Sequence, residues 1–226
     1  MKIDSLTLSY WDKIVLDKID LDIQKWDFIF LIGKSGSGKT SLISSLIWDF
    51  IPSKWNIVLD NWAFLYGPNY NSHILPYRRD IWIIFQDYKL LKLKTVFENV
   101  AFAMEVCWYK ENQISKRVLE VLNQVDMLAK KDKYVDELSG WEMQRLSIAR
   151  ALVHNPNTII WDEPTWNLDP ETALEVMKVF EDLNKEGKTV IIATHDDNIV
   201  NSFKKRVVVF ENKKIKSDRK EGKFEL

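Results

Sequence analysis

Hydrophobic and polar residues alternate along Ile3–Tyr10 and again along Ile14–Ile23, with Leu6 and Leu8, then Leu16, Ile19, Leu21 and Ile23, falling largely on one face. That period predicts two half-buried strands joined at Trp11-Asp12. A different pattern follows. Phe28–Ile32, Ile81–Phe85, Thr158–Trp161 and Thr189–Ala193 are short, continuous apolar runs, each predicting a buried strand. Helical segments separate them. One leaves the first run at about Lys39–Ile47. A second opens on Thr95-Val96-Phe97-Glu98, which has the spacing of a capping box, and extends through about Val106. Ile114, Val118, Val121, Leu122 and Val125 share one face of a third, Gln113–Val125. Ser139-Gly140-Trp141-Glu142 repeats the capping-box spacing and starts a helix through about Val153. Asp169-Pro170 reads as an N-cap followed by proline at the first helical position, and Gly187 closes that helix. Ile57–Asp60 and Ala63–Tyr66 flank Asn61-Trp62 as a hairpin would, and Arg206–Phe210 with Lys214–Lys216 predict a last one. Beyond Ser217 the tail is polar and is expected to be loose.

Strands that feed helices imply an α/β fold with a mostly parallel core sheet, whose ligands sit at the strand C-terminal ends. The N-terminal strands form an antiparallel β subdomain beside it. The helices at about 88–155 read as an inserted α-helical subdomain within one domain, 1–226. With 226 residues the chain is long enough for a substantial core. A net charge of -1 leaves no electrostatic footprint for nucleic acid. The single cysteine, Cys107, excludes an intramolecular disulfide and suits a reducing compartment. No apolar run approaches the roughly 20 residues that span a bilayer, and Met1-Lys2-Ile3-Asp4 does not open a signal peptide. The expected location is therefore cytoplasmic, with any membrane role supplied by a partner. One count is unusual: 10 Trp against 7 Gly, where glycine ordinarily makes up about 7% of a chain.

The chemistry centres on Gly33-Lys34-Ser35-Gly36-Ser37-Gly38-Lys39-Thr40, a complete G-x-x-x-x-G-K-[ST] phosphate loop between a strand and a helix. Its glycines let backbone N–H groups converge on phosphate oxygens, and the helix N-terminus adds partial positive charge. Lys39 would neutralise the outer phosphates, and the Thr40 hydroxyl would hold Mg²⁺. Asp162-Glu163 ends a strand and suits a division of labour, with Asp162 on the metal and Glu163 polarising the attacking water. Gln86, at another strand end, is placed to sense Mg²⁺ and the γ-phosphate; read alone it is equally a surface glutamine. His195 follows an apolar strand and suits contact with the γ-phosphate or the attacking water; read alone, a lone histidine is more often structural. Tyr10 offers a ring to adenine, or simply half-buries itself in the sheet. Ser139–Glu142 is at minimum a capped helix start. As a second anion-binding helix end, it suggests a nucleotide held by another subunit.

Together these motifs resemble the ATP-binding-cassette ATPases over nearly the whole chain, about Ile3 to Lys216. The resemblance gives Tyr10 the adenine, Gly33–Thr40 the phosphates, Gln86 the lid role and Leu138–Glu142 with Gln144-Arg145 the signature. It gives Asp162 the metal, Glu163 the catalytic carboxylate, Asn167-Leu168-Asp169 the dimer contact and His195 the switch. The fold it implies is a P-loop NTPase of the ABC type, with ATP and Mg²⁺ as ligands. Arg78–Leu91 and Thr95–Val106 look most like the FtsE-type cell-division branch. Members of that branch form a homodimer around two ATP molecules and work at the inner face of the cell membrane, beneath an FtsX-like permease. The ATPases of lipoprotein-release and macrolide-export systems are the alternative, sharing Pro164-Thr165-x-Asn167-Leu168-Asp169.

Against that family, tryptophan stands where glycine is expected. Trp141 replaces the second glycine of the signature, and Trp166 the glycine before Asn167. Trp11, Trp26, Trp55, Trp62, Trp82 and Trp108 also fall where relatives commonly have glycine, while Trp48 and Trp161 occupy positions that tolerate tryptophan. Trp62 after Asn61 calls for φ > 0, and Trp141 puts an indole where a backbone must approach a phosphate. A UGA codon read as glycine by the source organism but translated as tryptophan would produce this pattern, and the Ile/Lys/Asn-rich composition suits an AT-rich genome. If Trp141 and Trp166 are literal, the expectation becomes a scaffold that binds nucleotide without hydrolysing it.

Overall fold

The computed structural model describes residues 1–11, 13–46, 54–58, 80–84, 88–165 and 168–225. Two sheets form its frame. Strands β1 (Lys2–Tyr10), β2 (Lys13–Asp22) and β4 (Lys54–Val58) make a three-stranded antiparallel sheet in the order β2-β1-β4. The second sheet has six strands in the order β5-β6-β7-β3-β8-β9, with β3 (Phe28–Gly33), β5 (Ile81–Ile84), β6 (Thr158–Asp162), β7 (Thr189–Ala193) and β8 (Arg206–Glu211) parallel. Only β9 (Lys214–Arg219) runs antiparallel, hairpinned onto β8.

The unbroken apolar runs follow from burial on both faces of this sheet. Phe28, Phe30 and Ile32 of β3 point into one buried cluster with Ile159, Trp161, Val190 and Ile192. Ile29 and Leu31 point into the other with Ile160, Ile191 and Ala193, against Leu6, Leu8 and Leu16 of the antiparallel sheet. Helix α1 (Lys39–Leu46) covers this second face through Leu42, Ile43 and Leu46. On the first face lie α2 (Val96–Glu105), α3 (Glu111–Gln124), α4 (Gly140–Leu152), α5 (Pro170–Lys185) and α6 (Asp197–Phe203). Each fully buried Leu, Ile, Val or Phe contributes about 1.5–3 kcal/mol relative to exposure, so the two faces together carry the fold.

Capping residues set where the helices begin. Thr95 Oγ1 accepts the Glu98 N–H at 3.2 Å and Glu98 returns the bond to the Thr95 N–H at 2.7 Å, opening α2 as its spacing predicts. Buried Asn99 then ties the approach to α2 in place, donating to the carbonyls of Leu91, Lys94 and Thr95 and accepting from the Leu91 N–H. Helix α2 packs on α3 and α4, and α4 also meets β5. Val100, Val118 and Leu146 from these helices share one cluster with Phe30 and Ile192 of the sheet.

The structure changes one expectation and adds an element. The chain after Ser217 is not loose: β9 continues to Arg219, the Gly222 N–H donates to Lys205 O at 3.1 Å, the Phe224 N–H donates to Asn201 Oδ1 at 3.0 Å, and Arg219 pairs with Glu225. Polar composition hid these anchors because they are backbone bonds and an ion pair. Helix α6 was not expected; Asp196 caps it by accepting the Ile199 N–H at 3.1 Å. Ile57 and Val58 belong to β4 and pair with Ile3 and Lys2 of β1, while the rest of the hairpin expected around Asn61-Trp62 lies outside the described residues. Among those residues no helix is long and apolar enough to cross a membrane.

Candidate active site

The central parallel strands of the large sheet end on the same edge, and the sequence places its candidate chemistry there. From β3 the chain passes through Lys34–Ser37 into α1. Gly36 has φ 76°, and around its Cα is open space. Gly38 has φ 102°, and a Cβ there would collide with Leu16 Cδ2. Both positions therefore require glycine. Behind the loop Lys39 is only 8% exposed. Its ammonium donates to Gly33 O at 2.7 Å and to Lys34 O at 3.5 Å, so the cation curls back over the loop. Burial pulls its pKa below the usual lysine value, while Glu163 and Asp162 push it back up.

Strands β6 and β7 bring the acids to this edge, with Asp162 opposite Ala193 in register. Burial raises the Asp162 pKa; a hydrogen bond from the Thr40 hydroxyl opposes that rise, the neighbouring Glu163 adds to it, and Lys39 counters. Glu163 adopts φ 54°, a left-handed conformation rare for a non-glycine residue, and its N–H donates to Ala193 O at 2.8 Å. Such strain costs on the order of 1–3 kcal/mol and persists where surrounding structure enforces it. Here it turns the carboxylate toward His195. The His195 N–H donates to Glu163 Oε2 at 3.3 Å, and the ring Nδ1 lies 2.9 Å from the same oxygen. Lys39, Thr40, Asp162, Glu163 and His195 thus form one connected group.

Tyr10 stands at the end of β1 on the rim of an open cleft of about 1070 Å³ that also takes in Trp11, Lys13, Gly36–Ser41 and Lys213. Lys34, Ser35 and Ser37 line a smaller adjoining cavity of about 260 Å³ with Phe210 and Asn212. The helix start at Ser139 is a full capping box: Ser139 Oγ accepts the Glu142 N–H at 3.3 Å and Glu142 Oε2 accepts the Ser139 N–H at 2.9 Å. Lys130 pairs with Glu142, and Arg145 lies 4.5 Å above the Trp141 ring. Among the described residues, no hydrogen bond or ion pair joins Ser139–Glu142 to the phosphate loop. Buried Gln144 donates instead to Pro164 O, linking α4 to the turn that follows Glu163. In the sequence Gln144 reads only as part of the signature. Asp169 caps α5 through the Glu171 and Thr172 N–H groups at 3.1 and 3.0 Å. Gln86, Trp166 and Asn167 lie outside the described residues.

The residues present fit a magnesium nucleotide. Ser37 Oγ is buried in the loop without a hydrogen-bond partner, and a cation held at reduced pKa beside it favours an anion between them. Thr40 and Asp162 offer a hydroxyl and a carboxylate, the hard oxygen ligands that Mg²⁺ takes.

Comparison with known proteins agrees with this geometry. The family model described as ABC transporter matches residues 16–166. The cell division ATP-binding protein FtsE of Bacillus subtilis (strain 168) is 43% identical over 210 residues, covering 92% of this chain and 91% of that protein. FtsE of Mycobacterium tuberculosis (strain ATCC 25618 / H37Rv) is 41% identical, covering 92% and 90%. Among solved structures, cbiO1 from Clostridium perfringens, part of the ABC transporter complex cbiONQ, superposes with a TM-score of 0.88 at 32% identity, covering 97% of this chain and 87% of that one. A dimeric post-hydrolysis state of the ATP-binding cassette MJ0796, bound to ADP and Pi, does so at 0.84 and 30%, covering 99% of both.

Proposed function

The chain belongs to the ABC transporter family of ATP-binding, ATP-hydrolysing subunits, and from that premise we propose that it is the ATPase of an FtsE-FtsX-like membrane complex acting in cell division. Its identity to FtsE proteins, 43% and 41% over nine-tenths of each chain, supports the branch. The gathering of Lys39, Thr40, Asp162, Glu163 and His195 at one sheet edge supports the reaction.

In this reading the loop N–H groups and Lys39 bind the phosphates and stabilise charge on the transferred group. Thr40 and Asp162, with Gln86, hold Mg²⁺, which supplies charge neutralisation at the phosphates when bound. Glu163 accepts a proton from the attacking water, and His195 fixes the carboxylate's orientation through two contacts to Oε2. Tyr10 stacks on adenine at the cleft rim. Ser139, Gly140, Trp141 and Glu142 face the nucleotide of a second copy, with Asp169 at the dimer contact. The complex sits at the cytoplasmic face of the membrane, and separation of the two copies moves an FtsX-like permease.

Glu163→Gln keeps the shape of the side chain and removes its basicity. It should lower steady-state phosphate release at least about 100-fold, the usual scale for a lost general base, while leaving nucleotide binding intact. Turnover at the parent rate would remove Glu163 from the reaction.

A further inference from the structure

Three of the seven tryptophans whose backbone the structure describes hold a left-handed φ: Trp11 at 54°, Trp26 at 70° and Trp108 at 62°. None of the described phenylalanines does, and of the four described tyrosines only Tyr88, at 56°. Bulky residues at φ > 0 are genuine outliers, because the Cβ crowds the backbone. Each of the three also occupies a backbone device whose geometry selects glycine.

Trp11 is in the β1–β2 hairpin. Tyr10 and Lys13 are paired in register, leaving a loop of two residues of which Trp11 is the first. Two-residue hairpin loops use primed turns, and both primed types demand φ > 0 at that first position. Trp26 is third in the turn Gln24–Asp27, closed by the Asp27 N–H on Gln24 O at 3.3 Å. With Lys25 absent from the positive-φ residues, this is a type II turn, which takes glycine at that place. Its backbone is anchored on both sides: the Trp26 N–H donates to Thr189 Oγ1 at 3.0 Å, and its carbonyl accepts from Asn184 Nδ2 at 2.7 Å. Trp108 terminates α2. Its N–H donates to Glu105 O at 3.0 Å, and the next N–H, of Tyr109, reaches Met104 O at 3.4 Å. That pair of bonds is the Schellman motif, and position 108 is its left-handed residue, usually glycine.

The indoles are left largely in solvent. Trp11 is 98% exposed, Trp108 92% and Trp26 68%, although tryptophan is among the most buried residues on average. At all three places the backbone is specified by turn bonds and most of the side chain is exposed. We propose that the protein made in its native host carries glycine at positions 11, 26 and 108, the codons there being decoded as glycine. This assignment rests on conformation and is independent of the catalytic reading above.

Peptide-level mass spectrometry of the protein purified from its own host tests it directly. Peptides spanning the three positions should each be lighter by the difference between a tryptophan and a glycine residue. Tryptophan in any one of them overturns the proposal. A second measurement addresses the physical reason. The recombinant triple variant Trp11→Gly, Trp26→Gly, Trp108→Gly should melt higher than the tryptophan form by roughly 5 °C, from relief of left-handed strain. A variant melting at or below the parent would overturn the conformational argument.

Discussion

The indole of Trp141 stands on the second residue of α4, half-buried, with the Arg145 guanidinium 4.5 Å from its ring centre. Arg145 is itself tied to Val125 O at 3.1 Å and to Asp126 at 3.2 Å, so the pair is held firmly at the helix start. If this helix end approaches a partner's nucleotide, the indole occupies the space a phosphate needs. Trp141→Gly should then raise ATP turnover roughly 10–100-fold over the protein as written, the scale of a misplaced reacting group. Equal phosphate release from both forms would show that the helix end takes no part. Much at this scale was legible: the phosphate loop, Asp162-Glu163 and His195 are local patterns. The left-handed turn at Glu163 and its contacts to His195 were not, because they depend on strands β6 and β7 lying side by side.

Helix α5 shows how capping converts a residue pair into an element. Asp169 accepts two backbone N–H bonds and the Thr172 hydroxyl at 2.5 Å, and the hydroxyl, followed by those N–H groups, holds its carboxyl below the usual aspartate range. A depressed folded-state pKa contributes stability that is fully present above the unfolded value of about 3.9 and is lost as pH falls through the folded one. Asparagine caps equally well but carries no charge. Asp169→Asn should therefore melt about 1–3 °C lower near neutrality, with the gap closing below about pH 4. A gap that persists in acid would point to lost geometry rather than lost charge. Asp169-Pro170 announced this helix in sequence, whereas α6 escaped notice. Its signal was present in Asp196 followed by Ile199, Val200 and Phe203, but seven residues give a weak period. The pairing of β4 with β1 likewise depends on contacts distant in sequence.

At the scale of the molecule, the two helix ends proposed to hold phosphates belong to different parts of the chain. One lies behind the loop between β3 and α1; the other opens α4, whose Gln144 bonds to the Pro164 turn that follows Glu163. Among the described residues nothing closes the cleft beside Tyr10 and Gly36, an open groove along Lys13–Val15. A second copy, turned face to face, would bring Ser139–Trp141 over that groove and complete two sites at once, the closed two-fold arrangement that homodimers favour. The MJ0796 cassette, 30% identical over its full length, was solved as a dimer. Glu163→Gln, slow in turnover, should accumulate that state: with Mg²⁺ and ATP it should run at twice the monomer mass by light scattering, and with ADP it should return to monomer. Restoring glycine at positions 141 and 166 should strengthen the shift, since each removes an indole from the proposed contact. A variant that stays monomeric at every nucleotide condition, yet still binds ATP, would confine the site to one chain and leave Ser139–Glu142 a structural cap.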